Sequence, residues 1–127
     1  MSSRSNPTDR ELAILQALWD AGPSTVQQVV DALHAREGKR PAYTTVLTFL
    51  RIATEKGLTV RDERARSHVY AAAVTRDEVE RSVVDRVIDG LFRGSAVALA
   101  AKAVETRLSH AERRQLLEIL RDGEDQP

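Results

Sequence analysis

The sequence predicts a mostly α-helical protein with one small β-hairpin. Hydrophobic residues make up 42% of the 127 residues, enough to bury a core, and aromatic residues make up only 4%, which favours helix-on-helix packing. The third observation is the order of the patterns: three short amphipathic segments, two segments that alternate apolar and polar residues, and then further amphipathic segments. That order predicts an N-terminal winged helix-turn-helix followed by a C-terminal helical region.

The first two helices carry start signals typical of a capping box, in which a hydroxyl residue is followed three positions later by Glu or Gln. Thr8 and Glu11 form the first such pair, and Thr25 and Gln28 form the second. Apolar residues then recur at helical spacing in both segments: Leu12, Ile14, Leu15, Leu18 and Trp19, then Val26, Val29, Val30 and Leu33. The stretch 37–41 predicts a loop before the third helix.

Residues 42–56 predict a third helix with two different faces. Val46, Leu50 and Ala53 recur at helical spacing and need a core. The other face carries short hydroxyls and one long cation: Thr44, Thr45, Thr48 and Arg51. Thr forms helices less readily than the Glu and Lys that usually cover a solvent face, whereas hydroxyls, methyls and a guanidinium suit contact with base edges or phosphates. The alternative is a helix whose Thr residues only face water.

A β-hairpin is predicted directly after the third helix. Residues 58–61 and 68–71 alternate apolar and polar side chains, and a charged turn at 62–67 separates them. A hairpin in this place is the wing of a winged helix, and Arg64 and Arg66 at its tip could reach a phosphate backbone or a minor groove. A solvated hairpin tip is the alternative.

Charge is distributed unevenly along the chain. Lys plus Arg and Asp plus Glu are equal at 19 each, so the net charge alone indicates no partner. Residues 36–66 carry eight basic and four acidic residues, a local net charge of +4, whereas residues from 76 onward carry nine basic and eleven acidic residues, a net charge of −2. A basic segment that includes the third helix and the hairpin is typical of a phosphate-binding surface.

The last third of the chain predicts three helices, with start signals at Thr75, Ser95 and Ser109. Three helices of this length cannot bury their apolar stripes among themselves, so we expect a second copy of the chain to cover them in a two-fold dimer. Packing on the same chain is the alternative. We expect residues 8–73 to form the winged-helix unit and residues 75–122 the dimerisation region. The candidate dimer contacts are Val83, Val87, Leu91, Phe92, Val97, Val104, Leu116 and Leu120.

The sequence contains no recognisable catalytic or metal-binding pattern. Cysteine is absent, which excludes disulfides and thiolate ligands, and His34, His68 and His110 lack the spacing of paired metal ligands. There is no Gly-rich phosphate loop and no Gly-x-Ser-x-Gly nucleophile motif. We therefore expect neither enzyme activity nor a cofactor or metal. The longest apolar run, 96–101, is too short for a membrane span and no signal peptide pattern opens the chain, so we expect a cytoplasmic protein without membrane insertion.

Several short motifs occur in order along the chain: Glu11 with Leu15-x-x-Leu18-Trp19, Gly22-x-x-Thr25-Val26, Tyr43-Thr44-Thr45-Val46-Leu47-Thr48 and Glu55-Lys56-Gly57-Leu58. The set continues with Arg66-x-x-x-Tyr70, Phe92-x-Gly94-Ser95 and Leu108-Ser109-x-x-Glu112-x-x-x-Leu116. Together, over residues 8–120, these motifs resemble the penicillinase-repressor family of bacterial regulators, called BlaI/MecI. Where that family commonly has Leu-x-Arg-Leu late in its recognition helix, this chain has Leu50 followed by Arg51-Ile52-Ala53.

The resemblance implies an N-terminal winged helix that binds operator DNA, a C-terminal dimerisation region and repression of nearby genes, with a link to antibiotic resistance. In the family, a membrane sensor protease triggers proteolysis in the C-terminal region and so inactivates the repressor, which makes such a protease an implied partner.

Residue patterns and resemblance together predict a homodimeric repressor of a pseudo-palindromic operator. The helix at 42–56 and the wing at 58–71 are expected to contact half-sites that lie about one helical turn apart. The expected DNA contacts are Thr25, Tyr43, Thr44, Thr45, Thr48, Arg51, Lys56, Arg64 and Arg66. The alternative function is a protein-interaction module that uses the winged helix as a scaffold and does not bind DNA.

Overall fold

A computed structural model describes residues 6–64 and 66–124 of the chain. Within them the chain forms six α-helices: α1 (Asp9–Ala21), α2 (Val26–Glu37), α3 (Tyr43–Glu55), α4 (Arg76–Leu91), α5 (Ala96–Arg107) and α6 (His110–Glu124). It also forms three β-strands: β1 (Ser24–Thr25), β2 (Thr59–Asp62) and β3 (Val69–Ala72). The predicted class, mostly α-helical with a small β-structure, is therefore confirmed.

Reciprocal hydrogen bonds start the helices at the positions that the sequence predicted. At α1 the amide of Glu11 donates to Thr8 Oγ1 over 3.2 Å, and the amide of Thr8 donates to Glu11 Oε1 over 2.9 Å. The same arrangement joins three further pairs: Thr25 with Gln28, Thr75 with Glu78, and Ser109 with Glu112. Each pair gives partners to amides that a helix start would otherwise leave without one.

The N-terminal core is formed by one buried stripe from each of the first three helices, together with the sheet. Its larger cluster contains Ile14, Leu18, Val26, Val29, Val30, Leu33, Val46, Leu50 and Tyr70. A second cluster contains Leu15, Ala53, Leu58, Val74 and Val79. Because Val46, Leu50 and Ala53 are all buried, the inner face predicted for α3 is confirmed.

The sheet has three antiparallel strands in the order β1-β3-β2. The sequence predicted only the hairpin of β2 and β3, because β1 has two residues and is too short to show an alternating pattern. Tyr70 of β3 lies opposite Ser24 on one side and Arg61 on the other. In β2, Thr59 is 1% exposed and Val60 is 53% exposed, so the strand turns its hydroxyl inward and its valine outward. Alternation gives the period of a strand but does not say which face is buried.

The chain divides into two compact units between Val83 and Val84. The first half of α4 belongs to the N-terminal unit, where Val79 is buried and Val83 packs against the second core cluster. This unit therefore extends past residue 73, the boundary expected from the sequence, because α4 begins on its core. In the C-terminal unit several large apolar side chains are exposed: Leu91, Val97, Leu117, Ile119 and Leu120.

Candidate nucleic-acid interface

The outer face of α3 is polar. Thr44, Thr45, Thr48 and Arg51 are all exposed, as the sequence predicted. Thr44, Thr48 and Arg51 are spaced by four and three residues, so they form one row along the helix. The N-cap position of α3 is Ala42, and no side chain caps the helix there. Burial of the apolar stripe is therefore the main support for this helix.

Two threonine hydroxyls of α3 donate hydrogen bonds to backbone carbonyl oxygens of the same helix. Thr48 Oγ1 donates to the carbonyl oxygen of Thr44 over 2.9 Å, and Thr54 Oγ1 donates to the carbonyl oxygen of Leu50 over 2.8 Å. Such bonds give the hydroxyl a partner one helical turn back. The proton of the Thr48 hydroxyl is therefore already used within the helix, and the γ-methyl is the apolar group that this exposed side chain carries.

A groove of about 360 Å³ runs between the start of α2, α3 and the wing. Its lining residues are Thr25, Val26, Gln27, Tyr43, Leu47, Arg51, Arg66, Ser67 and His68. Four of the expected DNA contacts, Thr25, Tyr43, Arg51 and Arg66, thus lie around one groove. The hydroxyl oxygen of Thr25 also accepts the amide of Gln28 as the cap of α2.

A second groove, of about 600 Å³, lies between the last turns of α3 and strand β2. Arg51 lines both grooves and so stands between them. Arg61 also lines the second groove and pairs with Tyr70 in the sheet. The sequence predicted the wing that carries Arg61, but Arg61 was not among the expected DNA contacts. The Tyr70 hydroxyl is buried and makes no hydrogen bond of good geometry with the described residues, but its proximity raises the pKa of the Arg61 guanidinium.

The wing carries acidic partners for two of its arginines. Arg64 Nε and Nη2 donate to the carboxylate of Asp62 over 3.0 and 2.9 Å, and these bonds lower the pKa of Asp62 to about 2. Arg61 forms an ion pair with Glu63. Arg66 is exposed and, within residues 6–64 and 66–124, has no ion pair. Of the wing arginines, Arg66 is therefore the one whose charge is not already compensated by a described neighbour.

Lys56, at the end of α3, binds the buried Glu11 of α1. Lys56 Nζ lies 2.8 Å from Glu11 Oε1, and the Glu11 side chain is only 2% exposed. Burial raises the pKa of Glu11, but hydrogen bonds from Lys56 and Thr8 outweigh this effect and hold the pKa below its ordinary value of 4.5. The sequence predicted Lys56 as a DNA contact and Glu11 only as a cap; the ion pair between them joins residues 45 positions apart.

Arg40, in the turn that precedes α3, contacts two side chains of α2. Its Nη2 lies 2.7 Å from Asp31 Oδ1, and its Nη1 lies 3.3 Å from His34 Nδ1. Hydrogen bonds from Arg40 and Gln27 lower the pKa of Asp31. These contacts join the segment before α3 to side chains of α2.

The expected dimer contacts differ in exposure. Leu91, Val97 and Leu120 are exposed. Four others in the C-terminal unit are half-buried: Val87, Phe92, Val104 and Leu116. Val83 instead packs against the core of the N-terminal unit. Exposed apolar side chains have most to gain from a partner surface, since covering them removes apolar area from water.

Within the described residues, no group of three or more His, Cys, Asp or Glu side chains could hold a metal ion. None of the described helices is both long enough and apolar enough to cross a membrane. What α3 and the wing do offer is an open surface of hydroxyls, methyls and guanidinium groups around two grooves.

Comparison with known sequences identifies relatives over most of the chain. The model of the penicillinase repressor family matches residues 7–122. The transcriptional regulator BlaI of Mycobacterium tuberculosis, from strains CDC 1551 / Oshkosh and ATCC 25618 / H37Rv, is 38% identical over 99 residues, which cover 76% of this chain and 70% of the relative.

Solved structures of RosR share the fold. The structure of H. salinarum RosR grown from NaBr has 18% sequence identity to this chain and a TM-score of 0.55. The match covers 93% of this chain and 94% of the RosR chain. The complex structure of hsRosR-S4 is also 18% identical, covers 96% of both chains and has a TM-score of 0.57. The predicted winged helix-turn-helix fold is confirmed. By its sequence, this chain belongs to the penicillinase-repressor (BlaI/MecI) family of regulators.

Proposed function

We propose that this chain is a homodimeric transcriptional repressor that binds double-stranded operator DNA through α3 and the wing. One observation carries the proposal. Arg51 and Arg66 line the groove between α2, α3 and the wing, both are exposed, and neither has an ion pair within the described part of the chain. Family membership and the regulator relatives support the same function.

In this proposal α3 enters the major groove, which is wide enough to admit an α-helix. Thr44 and Thr45 offer hydroxyls and methyls to base edges, and Arg51 pairs with a guanine or a phosphate. We assign Thr25 and Tyr43 to phosphates, because they lie at the starts of α2 and α3, where helix N-termini favour anions.

Lys56 and Arg64 have smaller roles in this proposal than the sequence alone indicated. The Lys56 ammonium compensates the buried Glu11 carboxylate, so we leave it out of the DNA contacts. Arg64 must leave Asp62 before it meets a phosphate, and the loss of that ion pair reduces its contribution. Arg66 becomes the principal wing contact, to a phosphate or in the minor groove.

Dimerisation through the C-terminal unit would present two copies of α3 to a pseudo-palindrome whose half-sites lie about one helical turn apart. The exposed apolar residues of α4, α5 and α6 support this part of the proposal. We also propose that derepression follows proteolysis in the C-terminal unit, triggered by a membrane sensor protease. Cleavage there would separate the two copies and remove the gain from binding two half-sites together.

The proposal is tested by measuring affinity for a duplex recovered from a randomised DNA library, over a range of salt concentrations. Affinity should fall by orders of magnitude between about 50 and 200 mM salt, because binding releases counterions from the neutralised phosphates. Arg66→Ala should weaken binding to every duplex to a similar extent and reduce the salt slope by about 1 for each copy.

Arg36→Ala is the matched control, because Arg36 is an exposed arginine near the end of α2 that lines neither groove. Its affinity for DNA should stay at the wild-type value. Affinity that does not change with salt would contradict DNA binding and favour a protein-interaction module. Equal losses in the two variants would contradict the assignment of Arg66 as the principal wing contact.

A further inference from the structure

The exposed side of α3 carries a second row of side chains, which shares Thr48 with the row of Thr44, Thr48 and Arg51. Thr45, Thr48 and Ile52 are spaced by three and four residues, so they lie along one edge of the exposed face; we call them the methyl row. Ile52 is 39% exposed, although the apolar stripe of the same helix is buried. Isoleucine is β-branched and apolar, so it forms helices less readily than the Glu and Lys that usually cover a solvent face.

The hydrogen bond of Thr48 makes this row more apolar. Because Thr48 Oγ1 donates to the carbonyl oxygen of Thr44 over 2.9 Å, the hydroxyl is held against the helix backbone. Its proton is then not available to a partner, and the γ-methyl is the apolar group that Thr48 can offer. One turn further along, Ile52 adds a wholly hydrocarbon side chain. This edge of α3 therefore differs in chemistry from the edge that carries Arg51.

We infer that the methyl row reads the C5-methyl groups of thymine, with Ile52 as a specificity-determining residue. The inference rests on the proposed function, in which α3 enters the major groove. Among the groups that base pairs present in that groove, the thymine methyl is the apolar one. Contact between this methyl and Ile52 removes apolar surface of both from water. Each half-site of the operator should therefore carry thymines that face this edge of α3.

A partly exposed isoleucine is common on protein surfaces, and a protein partner could equally cover it. The two explanations differ in one measurable respect. Only recognition of thymine depends on the C5-methyl carbon of the base. That carbon can be removed without changing the hydrogen-bonding groups of the base pair.

The test compares a duplex recovered by selection from a randomised library with duplexes in which deoxyuridine replaces thymidine at single positions. At one or more positions in each half-site, the wild-type chain should bind the deoxyuridine duplex about fourfold more weakly than the thymidine duplex. About fourfold is the change in affinity expected when one buried apolar carbon is lost. Ile52→Ala should bind both duplexes equally at the position that Ile52 reads. Thr48→Ser removes a methyl and keeps the hydroxyl, so it should lose the preference at a neighbouring position.

Arg66→Ala serves as the control, because a phosphate contact should weaken binding to the thymidine and deoxyuridine duplexes in the same ratio. Equal binding of both duplexes by the wild-type chain at all positions overturns the inference and leaves DNA binding intact. A preference for the thymidine duplex that is unchanged in Ile52→Ala also overturns the inference. If no duplex is bound at all, the proposed function fails first and the inference fails with it.

Discussion

Glu11 accepts hydrogen bonds from two directions, from the amide of Thr8 at the start of α1 and from Lys56 at the end of α3. A buried carboxylate needs a compensating charge, and Lys56 supplies it. The pair therefore ties the first helix to the last turn of the helix that we propose reads DNA. Only the capping role could be predicted from the sequence, because that pattern is local, whereas the position of Lys56 relative to Glu11 depends on the packing of α1 and α3.

Replacing Glu11 with Gln should lower the free energy of unfolding by about 1–3 kcal/mol, because Lys56 loses its anionic partner. We expect the lower part of this range, since the Lys56 side chain is 27% exposed and solvent screens part of the interaction. Urea unfolding measures the change. Glu80→Gln, at an exposed position on α4, is the control and should unfold like the wild-type chain.

The same variant changes the acid sensitivity of the fold. The pKa of Glu11 in the folded chain lies below 4.5, so its stabilisation is complete above that pH and is lost as the pH falls through the folded value. The wild-type chain should therefore lose more stability than Glu11→Gln over this acid range. Identical pH dependence in the two proteins would show that the ion pair contributes nothing.

At the scale of elements, α3 differs from its neighbours in how it begins. α1 and α2 start at capping boxes, whereas the N-cap of α3 is Ala42, with φ −69° and ψ 139° and no side-chain hydrogen bond. The extended conformation of Ala42 is the one that a capping residue adopts. The proposed recognition helix is therefore less well capped than the backbone at its start would allow.

Ala42→Ser should raise the free energy of unfolding by about 0.5–1 kcal/mol, because the new hydroxyl can accept an amide of the first turn of α3. Thermal or urea unfolding gives the value. Ala100→Ser, an exposed position inside α5, is the control and should be neutral or slightly destabilising, since Ser is a poorer helix former than Ala. A stability gain of the same size in both variants would argue against capping as the cause.

The elements that the sequence predicted are those with a local signature. Hydroxyl and Glu or Gln residues three positions apart located the helix starts, and the spacing of Val46, Leu50 and Ala53 identified the inner face of α3. The sequence did not predict β1, because this strand is defined by its pairing with β3. The pairing of Arg61 with Tyr70 and of Lys56 with Glu11 likewise depends on contacts between distant segments, which local patterns do not encode.

At the scale of the whole molecule, the two compact units differ in how completely they bury their apolar residues. The N-terminal unit has two clusters of buried side chains. In the described part of the C-terminal unit, neither α5 nor α6 has a buried residue. A unit of this kind gains stability when a second surface covers it, which is the basis of the proposed dimer.

The double variant Val97→Glu and Leu120→Glu should convert a dimer into a monomer, because it places charges on two exposed apolar positions of the proposed interface. Analytical ultracentrifugation should show about twice 14.1 kDa for the wild-type chain and 14.1 kDa for the variant. Affinity for a two-half-site duplex should fall about a hundredfold or more, since each copy then binds alone.

Glu118→Gln, on the same helix as Leu120, is the control and should remain dimeric with wild-type affinity for DNA. A wild-type chain that sediments as a monomer at micromolar concentration would contradict the proposed assembly. A double variant that stays dimeric would move the interface away from Val97 and Leu120.

In the proposed function, the ion pairs of the wing also bear on how long the chain stays on DNA that is not its target. Arg61 and Arg64 each begin with a carboxylate neighbour, so a chance encounter with an arbitrary duplex gains little from them until Glu63 and Asp62 release them. Non-specific binding is electrostatic, and the many other sites of a genome compete with the operator for the protein. A wing whose arginines are partly compensated in this way gains less from phosphates at each wrong site, which shortens the stay there. The carboxylates of the wing would thereby speed the search for the operator.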